Sequence, residues 1–284
     1  MRLFLLIAHI SLGAGLMPLK QQQHQQHQQH QQHPHHHHTT ANPHRNYRLA
    51  PILQAKGPAG RIVAATEVIE LEDGDGSDAW RCQEVIEILQ RGGCGVLPTD
   101  TSYSFVTRVN SKQGLERILR IKGLEKCKKP LSLLCPDLAT IDRFSYGIDR
   151  TVFKILKKNL PGPYTFILPA SSELPKMMFF DGKGSKKNWK RETLGVRMPN
   201  DPVIQYVQEQ LDEPLLVSSV PAGEESGCQL DETAAWWNQV DFIVERGQDR
   251  GGGHSKSDGS TIYDLTGVEP LLVREGLGAV DLAY

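Results

Sequence analysis

The run from Gly95 to Tyr103 limits the possible folds of this chain more than any other stretch. Val96 and Leu97 form a short apolar run that predicts a buried strand, and Pro98 ends it because proline has no N–H for a ladder bond. Two threonines, an aspartate, a serine and a tyrosine follow at 99–103. Polar side chains at the end of a core strand are typical of the ligand site of an α/β sheet. The alternative is a polar turn whose side chains bond only the local backbone.

Strand-like and helix-like segments alternate after residue 66, without a strict βαβ rhythm. Turn-bounded apolar runs predict strands at 67–71, 94–98, 105–109, 131–135, within 160–169, and at 194–199, 215–219, 242–244, 260–265 and 271–274. Helical spacing and N-cap residues predict helices at 79–90, 112–121, 151–159 and 202–211. This order predicts one α/β domain at 67–284 with a mixed sheet. Since no P-loop and no G-x-G-x-x-G after a strand is present, a nucleotide would need another architecture.

Residues 1–66 have the composition of a targeting leader followed by a spacer. They contain no Asp or Glu, and Arg2 precedes a mostly apolar run to about Leu16, which has the shape of a secretory signal and is short for a membrane span. The Gln/His-rich tract Gln21–His38 predicts a disordered spacer, since it cannot bury a core. A signal before an acid-free, basic stretch favours a plastid over a mitochondrion. The alternative is a cytoplasmic protein, and no transmembrane segment is expected in the mature chain.

Charge, histidine and cysteine content exclude several classes of site. Residues 67–284 hold 26 basic and 33 acidic residues, a net charge of −7, which argues against nucleic-acid binding by bulk charge but not against a local basic patch. Ten of the eleven histidines lie at or before His44, so a Ser-His-Asp triad or a multi-histidine zinc site would depend on His254 alone. The five cysteines include no C-x-x-C pair. Neither a zinc ribbon nor a disulfide framework is expected, and no metal site is predicted.

A basic cluster follows the second predicted helix. The segment Lys122–Lys129 is rich in lysine, and Arg117 and Arg120 precede it. One interpretation is a solvated helix end, where the helix dipole favours lysines. The other is an anion site for nucleotide phosphates. The predicted strand at 194–199 presents a further cation, Arg197.

Seven segments, in this order, resemble the YrdC/YciO/Sua-type family of threonylcarbamoyl-AMP synthases and their relatives. They are Leu97-Pro-Thr-Asp-Thr-Ser-Tyr103, Arg120-Ile-Lys-Gly123, Lys129-Pro-Leu131, Pro161-Gly-Pro-Tyr-Thr-Phe166, Gly195-Val-Arg197, Pro214-Leu-Leu-Val-Ser-Ser219 and Val273-Arg-Glu-Gly276. Each segment alone is weak, but the shared order over roughly residues 80–278 is specific. The resemblance implies a single YrdC-like domain, a twisted mixed sheet flanked by helices around a concave basic cavity.

The resemblance also implies a reaction and a set of site residues. ATP, L-threonine and bicarbonate would give threonylcarbamoyl-AMP and pyrophosphate, with Mg²⁺ accompanying ATP, and a downstream transferase would pass the threonylcarbamoyl group to an adenosine of tRNA. By family position, the catalytic phosphate contacts are Lys122, Lys129 and Arg197. Those near threonine and the nucleotide are Thr99, Thr101, Tyr103, Thr165 and Ser219.

Three positions depart from the pattern of the synthases. Leu124 stands where their Lys-x-Arg motif has arginine, Pro221 where their Ser-x-Asn motif has asparagine, and Ser104 where glycine is usual. Leucine cannot contact a phosphate ionically, and proline has no side-chain amide. The pattern is nearer the YciO branch. Two alternatives therefore stand beside the synthase: a relative that binds nucleotide or double-stranded RNA without efficient synthase activity, and an enzyme that adenylates or carbamoylates another small acceptor.

Overall fold

The structure is a computed structural model that describes residues 65–72, 76–124, 131–175, 178, 192–221, 230, 232–246 and 259–282. Three sequence predictions concern residues outside these ranges: the leader and spacer up to residue 64, the phosphate contact Lys129, and His254. Within the described ranges, no helix has the length and apolar character needed to cross a membrane.

Among the described residues, ten strands form one mixed sheet in the order β1-β8-β2-β3-β7-β4-β6-β5-β9-β10. They are β1 (Glu67–Leu71), β2 (Cys94–Leu97), β3 (Ser104–Arg108), β4 (Ser132–Leu134), β5 (Tyr164–Pro169), β6 (Thr193–Arg197), β7 (Leu215–Ser219), β8 (Phe242–Arg246), β9 (Thr261–Asp264) and β10 (Leu271–Arg274). The neighbours β1–β8, β8–β2, β4–β6 and β5–β9 run parallel, and the other pairs run antiparallel. The predicted mixed sheet is confirmed, with strand ends shifted by a few residues at most.

In the described part of the chain five α-helices flank the sheet, and four of them begin at an N-cap whose side chain accepts a hydrogen bond. They are α1 (Gln83–Gln90), α2 (Lys112–Ile121), α3 (Leu138–Phe144), α4 (Arg150–Asn159) and α5 (Pro202–Leu211). Ser111 accepts a hydrogen bond from the Gly114 N–H, and Asp201 accepts bonds from the N–H groups of Val203 and Ile204, as the N-cap prediction required. The predicted helix at 79–90 was wrong at its start, where Ala79–Cys82 is a 3-10 helix. Helix α3 was missed, although Asp137 caps it.

The helices divide between the two faces of the sheet. Side chains of α2, α3 and α4 pack in the larger core, which includes Ile118, Ile141 and Ile155. Those of α1 and α5 pack in a second core, which includes Leu89 and Val207. The interior strand β3 is therefore buried on both faces, and the strand predicted at 105–109 is confirmed with its ends shifted by one residue.

Candidate functional site

A cavity of about 240 Å³ lies on the sheet where β7, β4, β6, β5 and β9 run side by side. Ser132, Thr165 and Ile262 line it, while the residue that follows each of them along its strand packs in the larger core on the other face. Because side chains alternate along a strand, the cavity occupies the face that α1 and α5 cover elsewhere. It is thus the uncovered half of that face.

Gly195 keeps the floor of the cavity open. A Cβ atom at this position would lie 2.8 Å from the Ser132 Oγ and 3.4 Å from the Thr165 Cγ2, and both of these residues line the cavity. Real Cβ atoms do not approach a neighbour this closely unless the neighbour moves. The glycine therefore preserves volume between two hydroxyl side chains.

Three cations from distant parts of the chain meet in the cavity wall. Lys122 comes from the C-cap of α2, Arg197 from the last residue of β6 and Arg274 from the last residue of β10. None of the described residues that line the cavity is acidic. Cations gathered in a concave wall focus a positive potential, which favours an anionic ligand. The predicted concave basic cavity is present, and it brings Lys122 and Arg197 together.

Arg197 is only 4% exposed and is held by the loop that follows β2. Its Nη2 donates to the Asp100 Oδ1 and to the Thr101 Oγ1, each at 2.9 Å. The other Asp100 oxygen accepts a hydrogen bond from the Asn200 N–H at 3.0 Å. The Nε of Arg197 is buried and has no hydrogen-bond partner among the described residues. A buried donor without a partner costs free energy, so Arg197 is held here at a cost to the stability of the fold.

Burial opposes the charge on both members of this ion pair. It raises the pKa of Asp100, while the nearby Arg197 charge lowers it. Burial likewise lowers the pKa of Arg197, which the Asp100 charge raises and the neighbouring Arg274 charge lowers further. The two guanidinium groups repel each other. A bound anion would relieve this repulsion.

A second hydrogen-bond network fixes Arg274 in the cavity wall. Its Nη2 donates to the Ser260 carbonyl at 2.6 Å, and its Nε donates to the same carbonyl at 3.2 Å. The Ser260 hydroxyl lies 2.7 Å from the Thr165 Oγ1. Sequence reasoning had placed Thr165 at the site but had named neither Arg274 nor Ser260. The segment Val273–Gly276, one of the seven matching segments, was the available signal for Arg274.

Lys122 reaches the end of β7. Its Nζ donates to the Ser219 carbonyl at 2.6 Å, so two predicted site residues are in direct contact. Ser219 lines the cavity through an exposed part of its surface. Leu124, two residues beyond Lys122, also lines the cavity and places an apolar side chain in its wall.

The loop after β2 holds its own side chains in place. The Thr99 Oγ1 accepts hydrogen bonds from the N–H groups of Thr101 and Ser102, each at 3.2 Å, so the loop is also the locally bonded turn of the alternative interpretation. The Tyr103 hydroxyl accepts from the Arg246 N–H at 2.9 Å, which places it at the end of β8. Thr99, Thr101 and Tyr103 are not among the described residues that line the cavity.

Comparison with known proteins identifies the family. The family model described as Sua5_yciO_yrdC, telomere recombination, matches residues 87–276, which is more than half of the chain. The chain belongs to the Sua5/YciO/YrdC family. The seven segments from which the resemblance was inferred lie within or close to this range.

Members of the Sua5/YciO/YrdC family differ in their similarity to the chain. Escherichia coli YciO, named as an uncharacterized protein, is 34% identical over 200 residues, which are 69% of this chain and 89% of the relative. Its crystal structure superposes with a TM-score of 0.60, covering 76% of this chain and 97% of that one. The threonylcarbamoyl-AMP synthase of Homo sapiens is 28% identical over 63% of this chain and 60% of its own length.

The fold also matches a synthase structure that contains a ligand. The crystal structure of P. abyssi Sua5 complexed with L-threonine has a TM-score of 0.57 at 22% identity and covers 74% of this chain and 58% of that chain. At this identity the match concerns the fold. Together the comparisons place the chain among threonylcarbamoyl-AMP synthase-like proteins, with YciO at higher identity than the human synthase.

Proposed function

We propose that this protein binds ATP and L-threonine in the cavity and, with bicarbonate, forms threonylcarbamoyl-AMP and pyrophosphate. The observation that carries the proposal is the presence of three cations, Lys122, Arg197 and Arg274, in the lining of one cavity whose described residues include no carboxylate. Such a wall fits the phosphates of a nucleotide. The names of the related synthases support the choice of reaction.

Each cation has a distinct role in this proposal. Arg197 and Arg274, fixed by their own networks, contact the phosphates as preorganised donors and neutralise charge that develops on the leaving pyrophosphate. Lys122 contributes a third charge beside Ser219. Lys129 joins them by resemblance alone. Holding carboxylated threonine in line with the α-phosphate then lowers the barrier through orientation.

Mg²⁺ is proposed to arrive with ATP and not on a protein site. The donors in the described cavity wall are cations, hydroxyls and carbonyls, whereas a protein site for Mg²⁺ uses carboxylates. The residues present do not fit a protein-held ion. Phosphate oxygens and water would hold it, as is common for Mg²⁺ with nucleotides.

The hydroxyl groups beside the cations are suited to the remaining groups of the substrates. Thr165 and Ser260 present paired hydroxyls, and Ser219 lies at the far end next to Lys122. We propose that Thr99 and Thr101 serve the substrates through the position of Arg197, because their hydroxyl groups are engaged within the loop and with its guanidinium.

A second candidate is a YciO-type protein that binds nucleotide or double-stranded RNA without efficient synthesis. Leu124 favours it, since this leucine lies in the cavity wall and leaves it one charge short of the synthase pattern. Loss of a charged hydrogen bond costs about 1.5–3 kcal/mol, which is roughly tenfold to over a hundredfold in rate if the contact acts in the transition state.

Pyrophosphate release by the full-length chain tests the proposal. The protein is assayed with ATP, Mg²⁺ and bicarbonate, with and without L-threonine, and the adenylate is identified by mass. Release that depends on threonine, and that is lost in Arg274→Met but not in the surface control Lys112→Gln, is the expected result. Folded wild-type protein that binds ATP and releases no pyrophosphate with threonine would instead favour the second candidate.

We also propose a destination for the product and a location for the protein. A downstream transferase would carry the threonylcarbamoyl group to tRNA, and residues 1–66 would direct the chain to a plastid. Fusing residues 1–66 to a fluorescent protein tests the second point, because uniform cytoplasmic fluorescence would contradict it.

A further inference from the structure

Helix α4 has one buried face and one strongly basic face. Ile155 and Leu156 are each 1% exposed and pack in the larger core. The solvent face carries Arg150, Phe153, Lys154 and Lys157, all exposed, at the spacing i, i+3, i+4 and i+7. Residues at this spacing line one side of a helix. These four residues are called the α4 stripe below.

The charges of the α4 stripe have no compensation within the described part of the chain. No ion pair involves Arg150, Lys154, Lys157 or the adjacent Lys158 there, and α4 itself contains no acidic residue. The N-cap Asp149 uses one carboxylate oxygen to accept the N–H groups of the first turn.

On helix α2, by contrast, two cations form ion pairs. There Lys112 pairs with Glu116 at 3.7 Å, and Arg117 pairs with Asp241 at 2.7 Å. Residues 67–284 carry 33 acidic against 26 basic residues, so a helix with four cations and no ion pair among the described residues is a local exception. A surface of this kind attracts a polyanion.

The exposed ring of Phe153 indicates which kind of polyanion would bind the stripe. Its side chain is 47% exposed in the middle of the stripe, although Ile155 and Leu156 on the same helix are buried. An aromatic ring between cations is the combination used to bind single-stranded nucleic acid, where a base stacks on the ring and the cations contact phosphates. An anionic membrane is a poorer fit, because interfacial helices bury a broad apolar face and this face offers one apolar side chain.

The length of the stripe agrees with a short strand segment. From residue 150 to residue 157 the helix rises roughly 10 Å, at 1.5 Å per residue. One strand advances about 3.4 Å per nucleotide when stacked, so the stripe spans about three nucleotides. Three cations and one ring match that span.

We propose that the α4 stripe binds single-stranded nucleic acid, separately from the cavity. The interaction goes beyond the proposed adenylate chemistry and does not depend on it. It provides a docking surface for an unpaired segment of a nucleic-acid strand, with the phosphates on Arg150, Lys154 and Lys157 and a base on Phe153.

Fluorescence anisotropy with labelled 12-nucleotide RNA and DNA of mixed sequence tests the proposal on the full-length chain. The variants are Lys154→Gln/Lys157→Gln, Phe153→Ala, the surface control Lys112→Gln and the cavity variant Arg274→Met. Removing two phosphate contacts is expected to reduce the slope of log K against log salt by about 1.4, since each contact contributes about 0.7 for single strands. Phe153→Ala is expected to weaken binding about tenfold, through loss of one stacked base. Lys112→Gln and Arg274→Met are expected to bind as the wild type does.

Several results would overturn the proposal. One is equal affinity and salt slope for Lys154→Gln/Lys157→Gln and the Lys112→Gln control, in protein with unchanged circular dichroism. Another is loss of binding in Arg274→Met alone, which would place the strand in the cavity. A third is stripe-dependent binding to phosphatidylserine vesicles with no binding to either oligonucleotide. Unchanged affinity in Phe153→Ala would exclude the stacking that distinguishes a single strand.

Discussion

One half of a single sheet face is covered by helices in this molecule, and the other half is open. Over β1, β8, β2 and β3, helices α1 and α5 close the face with a dry core that includes Leu97, Val106 and Phe242. Over β4, β6, β5 and β9 the same face carries Gly195, hydroxyl groups and Arg197, and it remains an open cavity. The strands are continuous across this boundary: Leu134 packs in the core, while Ser132 on the same strand face lines the cavity. The difference shows that this site is made by leaving half of a sheet uncovered.

The largest expected effect lies in the closed half. Phe242 is fully buried, and replacing it with alanine is expected to lower the free energy of unfolding by about 3–5 kcal/mol, because the deletion leaves a cavity in a packed core. Ile262→Ala, in the open half, is the matched comparison and is expected to cost less, since that side chain is only partly buried. Urea denaturation of both variants measures the difference. Equal costs would contradict the contrast between the halves.

The ion pair between Arg197 and Asp100 joins the open half of the sheet to the loop after β2, and its contribution to stability can be measured. Arg197→Met leaves Asp100 buried without its cation and is expected to destabilise the fold by about 3 kcal/mol. In the double variant Asp100→Ala/Arg197→Met no charge is left unpaired, so its cost is expected to be smaller than the sum of the single costs. A double-mutant cycle by urea denaturation gives the coupling. Additive costs would show that the pair does not fix the boundary.

Filling the open half should affect binding more than folding. Gly195→Val places side-chain atoms between Ser132 and Thr165 on the cavity floor, and overpacking of this kind costs about 1–3 kcal/mol. If that cost falls on the liganded state, ATP affinity drops about tenfold or more. Isothermal calorimetry measures the affinity. Gly123→Ala, in the loop after α2, is unsuitable as a control, because the glycine has a φ of +62° and alanine would be strained there. Leu138→Met, on α3, is the better control. Unchanged ATP affinity in Gly195→Val would argue against nucleotide in the cavity.

The smallest effect is expected at the outer edge of the closed half. Burial, and then the adjacent Glu84, raise the pKa of Glu67 on β1 from 4.5 to about 7. A raised pKa in the fold means that the protonated carboxyl is favoured there, so its stabilising contribution is complete below pH 4.5 and is lost as the pH rises through about 7. Glu67→Gln should therefore gain stability relative to wild type between pH 4.5 and 8. Melting temperatures across this range check it, with the exposed Glu87→Gln as control. A parallel pH dependence of Glu67→Gln and wild type would contradict it.

Local sequence signals were sufficient for most elements of the fold. Ser111 and Asp201 marked the starts of α2 and α5 because N-cap chemistry depends on residues only two or three positions away. Apolar runs marked all ten strands. Helix α3 was not predicted, because its seven residues, Leu138–Phe144, are too few to give a clear helical periodicity. The 3-10 start at Ala79–Cys82 escaped because apolar spacing does not distinguish the two helix types.

The site was only partly accessible to such reasoning. Lys122, Arg197, Thr165 and Ser219 line the cavity and had been named from the resemblance. The clamp from Asp100 and Thr101 to Arg197 joins residues 97 and 96 positions apart, and no local pattern encodes a contact across that distance. Ser260 escaped for the same reason, since its partner Thr165 is 95 positions away.

The family, the order of the ten strands and of most helices, and the polar loop after β2 could all be predicted from the sequence, because these features depend on residue type and short-range spacing. Only the tertiary structure decided which half of the sheet face is closed and that Lys122, Arg197 and Arg274 share one wall. It also decided that the Thr99–Thr101 loop holds an arginine and does not line the cavity. These outcomes depend on strand order and on the faces of the sheet, which pairing between distant segments sets.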